Sequence, residues 1–163
     1  MTGGYPLSLR GMSLPVEIAE LSVAELDACR ALLALNHDEC EAHHGRKLNI
    51  MWPAFYELED RGLLHLFGAW REDQLIGYAV GVYSPKHPHH EDWSTMTISV
   101  IYVHPTVRRA DVLDELMGLM RGRARNLNAD SIIWQAKDGS PFDLYLERKA
   151  VCELLERTYE EKL

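Results

Sequence analysis

The stretch from Thr97 to Met120 constrains the fold of this chain more than any other, because a strand pattern runs directly into a helix pattern. Residues 98–103 are mostly β-branched or aromatic, which is typical of a buried strand. His104 and Pro105 end that pattern. Apolar residues then recur at the spacing of one helix face, at Val112, Leu113, Leu116, Leu119 and Met120. The stretch therefore predicts a strand, a short loop and a helix in direct succession.

Two adjacent arginines, Arg108 and Arg109, lie where this loop turns into the helix. The first N–H groups of a helix have no partners within the helix, and the helix dipole favours negative charge at that end. Arginine adds planar donors that match a phosphate group. The pattern predicts an anion site, with a solvated pair of loop arginines as the structural alternative.

The run from Val103 to Arg109, VHPTVRR, followed by a helix resembles the acetyl-CoA loop of the GNAT N-acetyltransferases, most closely short GNAT-like proteins encoded by bacteriophages. Similar motifs extend the resemblance over residues 14–163, namely QLIGYAVGV at 74–82, the run from Trp52 to Phe67, and a late helix at 142–148. The resemblance implies a single α/β domain. Its sheet is expected to be mixed and mostly antiparallel, with six or seven strands and helices on both faces.

The resemblance also implies which residues hold acetyl-CoA. The backbone of Ile101, Tyr102 and Val103 is expected to pair with the pantetheine arm. The loop and the first helical turn are expected to hold the pyrophosphate, through Arg108, Arg109, Ala110, Asp111, Val112 and Leu113. In this loop, Asp111 and Leu113 replace the two glycines that are usual in the family. Since glycine lets the backbone approach a phosphate closely, Asp111 is expected to repel the phosphate and Leu113 to crowd it.

Two hypotheses remain open on this sequence. The first is a GNAT-like N-acetyltransferase that moves an acetyl group from acetyl-CoA to a primary amine of a small molecule or protein. The second is a GNAT-fold protein that has lost catalysis and the cofactor, and that serves a structural or partner-binding role in a phage or virion. The strand, loop and helix favour the first, and the replaced glycines favour the second.

Two side chains are candidates for the proton transfers of an acetyltransferase. The resemblance implies a tyrosine on the late helix as the proton donor to the leaving thiolate; Tyr145 lies one residue before that position, which Leu146 occupies. His89 falls in the loop that borders the acceptor cleft in this fold, and histidine exchanges protons near neutral pH. The alternatives are a packing role for Tyr145 and an exposed loop for His89. The histidines around His89 lack metal-ligand spacing, so no metal site is predicted.

Composition limits the classes of protein to which the chain can belong. A chain of 163 residues suits one domain, and 47% hydrophobic with 26% charged residues is ordinary for a globular protein. The net charge of −8 argues against a general nucleic-acid binder. No long apolar run or leader pattern is evident, and the three cysteines show no pairing pattern, so a cytoplasmic protein is expected. Residues 1–13 are predicted to be an extension that docks on the domain itself, on a second copy or on a structural partner.

Overall fold

The computed structural model describes residues 15–41, 45–86, 90–108 and 110–149. Within these ranges a single five-stranded sheet has the order β1-β2-β3-β4-β5. Its strands are β1 (Glu17–Glu20), β2 (Leu64–Arg71), β3 (Gln74–Ser84), β4 (Thr95–Val103) and β5 (Ser131–Trp134). The first four are antiparallel neighbours, whereas β5 runs parallel to β4. The expected mixed, mostly antiparallel sheet is confirmed.

Helices cover both faces of this sheet. They are α1 (Val23–Ala28), α2 (Arg30–Asn36), α3 (Trp52–Asp60), α4 (Ala110–Asn126) and α5 (Pro141–Lys149). A π-helical turn, His37–Glu41, extends α2, and a 3-10 turn, Pro105–Val107, precedes α4. One hydrophobic core joins the sheet to α1, α2 and α3, and a second joins it to α4. No helix in the described residues is both long and apolar enough to cross a membrane.

Local sequence explains the ends of two helices. The Ser22 side chain accepts a hydrogen bond from the Glu25 N–H at 3.2 Å, while the Glu25 carboxylate accepts the Ser22 N–H at 2.8 Å. This reciprocal capping box starts α1 as the sequence predicts. Helix α3 is followed, after its C-cap Arg61, by Gly62, whose φ of 67° is in the left-handed region that favours glycine. The next N–H, that of Leu63, bonds back to the Leu58 carbonyl at 2.9 Å and closes the helix.

Strand β4 carries a β-bulge that matters for the site. Val100 faces Val80 and Ile98 faces Gly81, so Ser99 is an extra residue between them. An inserted residue reverses the alternation of side chains along a strand. Accordingly Ile98 packs on the α4 face, whereas Val100 packs on the face of α1 to α3.

Several sequence expectations differ from the structure or lie outside it. The helix expected after Ser22 divides at Cys29, where the backbone leaves helical geometry at φ −100° and ψ 40°. The expected closing strand at 150–163 and the extension at 1–13 lie outside the described residues. The structure therefore describes five strands, whereas the sequence predicts six or seven, of which the closing strand is one.

Candidate functional site

Pairing between β4 and β5 covers only the first half of β4, and the region beyond it, next to the second half of β4, is called the wedge. The β4–β5 ladder runs from Thr95 with Ser131 to Ile98 with Trp134, and the Gln135 N–H bonds to the Ile98 carbonyl at 3.0 Å. Within the described part of the chain, β4 beyond Ile98 pairs with β3 alone. Among the described residues, this edge of β4 beyond Ile98 has no strand beside it and is called the open edge.

Hydrogen-bond alternation shows which backbone groups face this open edge. The His104 N–H donates to the Ile76 carbonyl of β3 at 2.7 Å. In an antiparallel pair, every second residue bonds to the partner strand. Tyr102 therefore directs its backbone groups toward β3, while Ile101 and Val103 direct theirs to the open edge. Of the three residues expected to pair with a pantetheine arm, two present backbone groups for such pairing.

The Arg108 side chain already occupies one of these groups. Its Nε and Nη2 atoms donate to the Val103 carbonyl oxygen at 3.2 Å and 3.1 Å. The same guanidinium forms an ion pair with Glu39, with Nη1 2.8 Å from Oε1 and Nη2 3.0 Å from Oε2. Arg108 therefore links the loop after β4 to the π-helical turn on the opposite side of the strand. Its sequence-predicted neighbour Arg109 lies outside the described residues.

Tyr102 completes this cluster. Its phenol donates to Glu39 Oε2 at 2.7 Å, and the Arg108 guanidinium lies 5.7 Å from its ring centroid. Hydrogen bonding to Arg108 holds the pKa of the Glu39 carboxyl below its usual value. Burial, followed by the hydrogen bond to Glu39, raises the pKa of the Tyr102 phenol. Glu39 is therefore ionised and Tyr102 protonated at neutral pH. The three side chains form a stable cluster held by hydrogen bonds and one ion pair.

A carboxylate lies at the N-terminus of α4, where the resemblance expects a phosphate. Asp111 Oδ1 accepts the Val112 N–H at 3.0 Å, so it engages a first-turn donor. The Val112 side chain is buried in the core, and Leu113 is half-buried. The open edge of β4 has the backbone groups that an extended amide arm would need, whereas Asp111 places negative charge where the resemblance expects the pyrophosphate.

Of the two sequence-predicted catalytic side chains, Tyr145 lies within the described residues. Tyr145 lies on α5, where its hydroxyl donates to Asp114 of α4. Its ring stacks on Phe142 at 6.4 Å, and Lys149 Nζ lies 5.3 Å from the ring centroid. Trp134 packs edge-to-face on Phe142, so α5 lies on the β5 side of the wedge. His89 lies outside the described residues.

A cavity of about 630 Å³ lies on the face of the sheet that α1, α2 and α3 cover, between these helices and the strands β3 and β4. Its lining includes Val100, so it adjoins the strand that carries the open edge. Polar side chains enter it from α2 and β3: Asn36 Nδ2 donates to the Tyr78 hydroxyl at 2.7 Å. His37 also lines it, with 12% of its side chain exposed and Nδ1 3.6 Å from Asp38 Oδ1.

The sequence did not identify Asn36, His37, Glu39 or Tyr78 as site residues. One signal was present, because Asn36 interrupts the apolar face of its helix and is followed directly by a histidine. A polar residue at a buried helical position usually has a specific partner. Asn36 is 7% exposed and has that partner in Tyr78.

Solved structures of acetyltransferases match the chain over nearly its whole length, at low identity. A predicted acetyltransferase with acetyl-CoA from Clostridium acetobutylicum gives a TM-score of 0.69 at 15% identity, over 90% of this chain and 96% of that chain. Ribosomal-protein-alanine N-acetyltransferase from Brucella melitensis biovar Abortus 2308 gives 0.68 at 15% identity, over 91% and 99%. An aminoglycoside acetyltransferase from an uncultured soil metagenomic sample, in complex with sisomicin, gives 0.69 at 14% identity, over 91% and 96%.

No protein-family model matches the chain, and no curated protein sequence matches it significantly. The structural matches show that the chain has the fold of the GNAT acetyltransferases, as the sequence predicts. Nothing in these matches links the chain to proteins encoded by bacteriophages.

Proposed function

We propose that the protein is an N-acetyltransferase that takes an acetyl group from acetyl-CoA and transfers it to a primary amine. One observation carries this proposal: the open edge of β4, at Ile101 and Val103, adjoins a ligand-sized cavity that shares Val100 of the same strand. A donor at the edge and an acceptor in the cavity would then meet at one strand. Such juxtaposition is a main source of catalysis in two-substrate reactions.

Acetyl-CoA, when bound, supplies an acyl group activated as a thioester. The backbone of Ile101 and Val103 would bind its extended arm through β-type hydrogen bonds. Arg108 would hold phosphate only after exchanging its bond to Val103 or Glu39, with Arg109 and the first turn of α4 as further donors.

Proton transfer is assigned to side chains on both sides of β4. His37 lines the cavity and can accept a proton from the amine, since imidazole exchanges protons near neutral pH. His89 remains a second proposed acceptor. Tyr145 remains the proposed proton donor on the β5 side of the wedge, and its bond to Asp114 would open for that role.

Loss of catalysis is the second candidate, and two observations favour it. Asp111 engages the Val112 N–H at the α4 N-terminus, and Arg108 is committed to Glu39 and Val103. In that case the chain would keep the fold for a structural or partner-binding role.

Calorimetric titration with acetyl-CoA, joined to an assay of thiol release with a set of amines, separates the two candidates. The enzyme proposal expects micromolar binding and amine-dependent thiol release. Arg108→Ala and Glu39→Gln should be measured together, because both remove the Glu39–Arg108 ion pair and only the first removes a phosphate donor. Weaker binding in Arg108→Ala alone would support a phosphate contact. Absence of binding at millimolar acetyl-CoA would contradict the enzyme proposal.

A further inference from the structure

We infer that the buried amide of Asn36 is the hydrogen-bond acceptor for a ligand of the cavity on the face of α1 to α3, and that this ligand is a monoamine with an otherwise apolar body. The role of the ligand as acetyl acceptor rests on the proposed function. Its chemical class rests on the carbonyl oxygen of Asn36 and on the walls around it.

The Asn36 side chain uses only half of its amide within the described part of the protein. Asn36 is 7% exposed, and its Nδ2 donates to the Tyr78 hydroxyl at 2.7 Å. Its Oδ1 accepts no hydrogen bond from the described residues, yet it is not one of the enclosed side-chain atoms that lack a partner. Since Asn36 lines the cavity, this oxygen faces the open volume, where a donor on a ligand can reach it. Such a donor would satisfy a buried acceptor.

Most of the cavity wall is apolar. It includes the side chains of Leu26, Leu33, Trp52, Phe55, Val80 and Val100. Trp52 and Phe55 lie edge-to-face, with ring centroids 5.8 Å apart. A volume of about 630 Å³ is within the range of sites that enclose a small organic ligand. Burial of an apolar body against these walls is therefore the main source of affinity.

The buried hydrogen-bonding groups of the lining lie together. Asn36 is bonded to Tyr78, and His37 follows Asn36 directly in the chain. The other polar residues of the lining are exposed, namely Arg46, Lys47 and Asn49. A further hydroxyl or amine on the body of a ligand would lose its water against the apolar walls, which costs about fivefold to a hundredfold in affinity. The cavity therefore favours a ligand with one polar end over a sugar or a polyamine.

Charge does not select the ligand. The Asp38 carboxylate lies 3.6 Å from His37 Nδ1 and is 78% exposed. Of the basic residues at the rim, Arg46 has an interaction of its own and Lys47 is exposed. These charges are of both signs, and water and salt weaken exposed charges. The neutral, buried amide of Asn36 is therefore the group that distinguishes one ligand from another.

The position of Asn36 brings the polar end of a ligand close to the open edge. In the β3–β4 register, Tyr78 faces Tyr102. The neighbours of Tyr102, Ile101 and Val103, direct their backbone groups to that edge. Helix α3 packs against α1 and β2, which is farther from β4 than β3 is. A ligand that donates to Asn36 thus has its amine toward β4 and its apolar body toward α3.

Calorimetric titration without acetyl-CoA tests the ligand class. The probes are naphthylethylamine, its trimethylammonium analogue, which keeps the charge but has no N–H donor, and glucosamine, a primary amine on a body that carries hydroxyl groups. Naphthylethylamine is expected to bind about fivefold to tenfold more tightly than the trimethylammonium analogue, as for one hydrogen bond to a buried acceptor. Glucosamine is expected to show no binding at millimolar concentration.

Two pairs of variants assign the effect to the cavity. Asn36→Leu should abolish the preference for the primary amine, whereas Asn126→Leu, at an exposed residue of α4 outside the lining, should leave it unchanged. Phe55→Ala should weaken both naphthyl ligands, whereas Tyr56→Ala, at its exposed neighbour outside the lining, should weaken neither. Asn36→Asp keeps an acceptor oxygen and should retain the preference, which tests the inference even if Asn36→Leu fails to fold.

Three results would overturn the inference. The first is equal binding of naphthylethylamine and its trimethylammonium analogue. The second is a preference that survives in Asn36→Leu or is lost in Asn36→Asp. The third is tighter binding of glucosamine than of naphthylethylamine, or no binding of any probe at millimolar concentration.

The outcomes also separate this inference from the proposed function. If naphthylethylamine binds through Asn36 but acetyl-CoA does not bind, the ligand class holds and the enzyme proposal fails. If acetyl-CoA binds and only hydroxylated amines such as glucosamine or sisomicin release thiol, the enzyme proposal holds and the ligand class is wrong.

Discussion

The Glu39 carboxylate holds two nitrogens of Arg108, at 2.8 Å and 3.0 Å, across 69 positions of the chain. Arg108 in turn donates to the Val103 carbonyl at the open edge of β4. The pair therefore joins the π-helical turn to the strand edge where the proposed donor would bind. A change in either partner is expected to affect both the stability of the domain and the geometry of the edge.

Glu39→Gln should lower the free energy of unfolding by about 1 to 2 kcal/mol at pH 7, because it leaves a half-buried guanidinium without its charged partner. Glu57→Gln is the matched control, since its pair with Arg61 is an exposed i,i+4 pair and should contribute below about 0.5 kcal/mol. Urea unfolding measures both variants. Equal losses in the two variants would contradict a structural role for the Glu39–Arg108 pair.

The same pair predicts a pH dependence. Arg108 lowers the pKa of Glu39 in the folded protein, so the pair stabilises above the unfolded pKa of about 4.3. This stability is lost as the pH falls through the lowered folded pKa. The difference in unfolding free energy between wild type and Glu39→Gln should therefore shrink below pH 4.5 or so.

His65 predicts a second pH dependence, near neutrality. Its side chain is 8% exposed, Nδ1 lies 3.2 Å from Arg123 Nη1, and burial lowers its pKa. A histidine with a lowered folded pKa causes no loss while neutral, and the fold loses stability as the pH falls below the unfolded pKa of about 6.5. His65→Gln should make the urea midpoint depend less on pH between about pH 7.5 and 5.5. An unchanged pH dependence of the midpoint would contradict this role of His65.

His37→Gln tests the proposed proton acceptor. Since a positioned base contributes roughly a hundredfold or more, kcat/KM should fall by about that factor, and the acidic limb of its pH profile should disappear. His90→Gln serves as a control at an exposed histidine outside the cavity. If His89→Gln abolishes the limb and His37→Gln does not, the acceptor is His89.

Asp111→Asn tests the charge at the α4 N-terminus. It keeps the shape of the side chain that accepts the Val112 N–H and removes a negative charge from the expected phosphate site. CoA should bind about fivefold to tenfold more tightly, as a helix N-terminus and its neighbours favour anions by about 1 kcal/mol. Asp143→Asn, in the first turn of α5, is the matched control. Unchanged affinity in Asp111→Asn would remove Asp111 from the phosphate site.

Local patterns explain why most of the fold could be predicted from the sequence. The capping box at Ser22, the glycine stop at Gly62 and the strand, loop and helix through Arg108 all depend on residues close in the chain. Their periodicity and cap chemistry determine the elements before any tertiary contact forms. The break at Cys29 could not be seen, because helix propensity on both sides of it is continuous.

The site was less accessible to sequence reasoning. The sequence indicated the loop at Arg108 and the unfavourable Asp111, since both lie beside a predicted helix start. It could not indicate that Glu39 reaches Arg108, because that contact depends on how the π-helical turn packs against β4. The cavity was likewise hidden, as its walls come from three helices and two strands.

Amide hydrogen exchange in the presence and absence of acetyl-CoA tests the central claim most directly. The Ile101 and Val103 N–H groups face the open edge, whereas the Tyr102 N–H faces β3. Binding of an extended arm along β4 should therefore slow exchange at Ile101 and Val103 and leave Tyr102 unchanged. Slower exchange at these two amides would support a working donor site. Unchanged exchange at both amides with millimolar acetyl-CoA would contradict it.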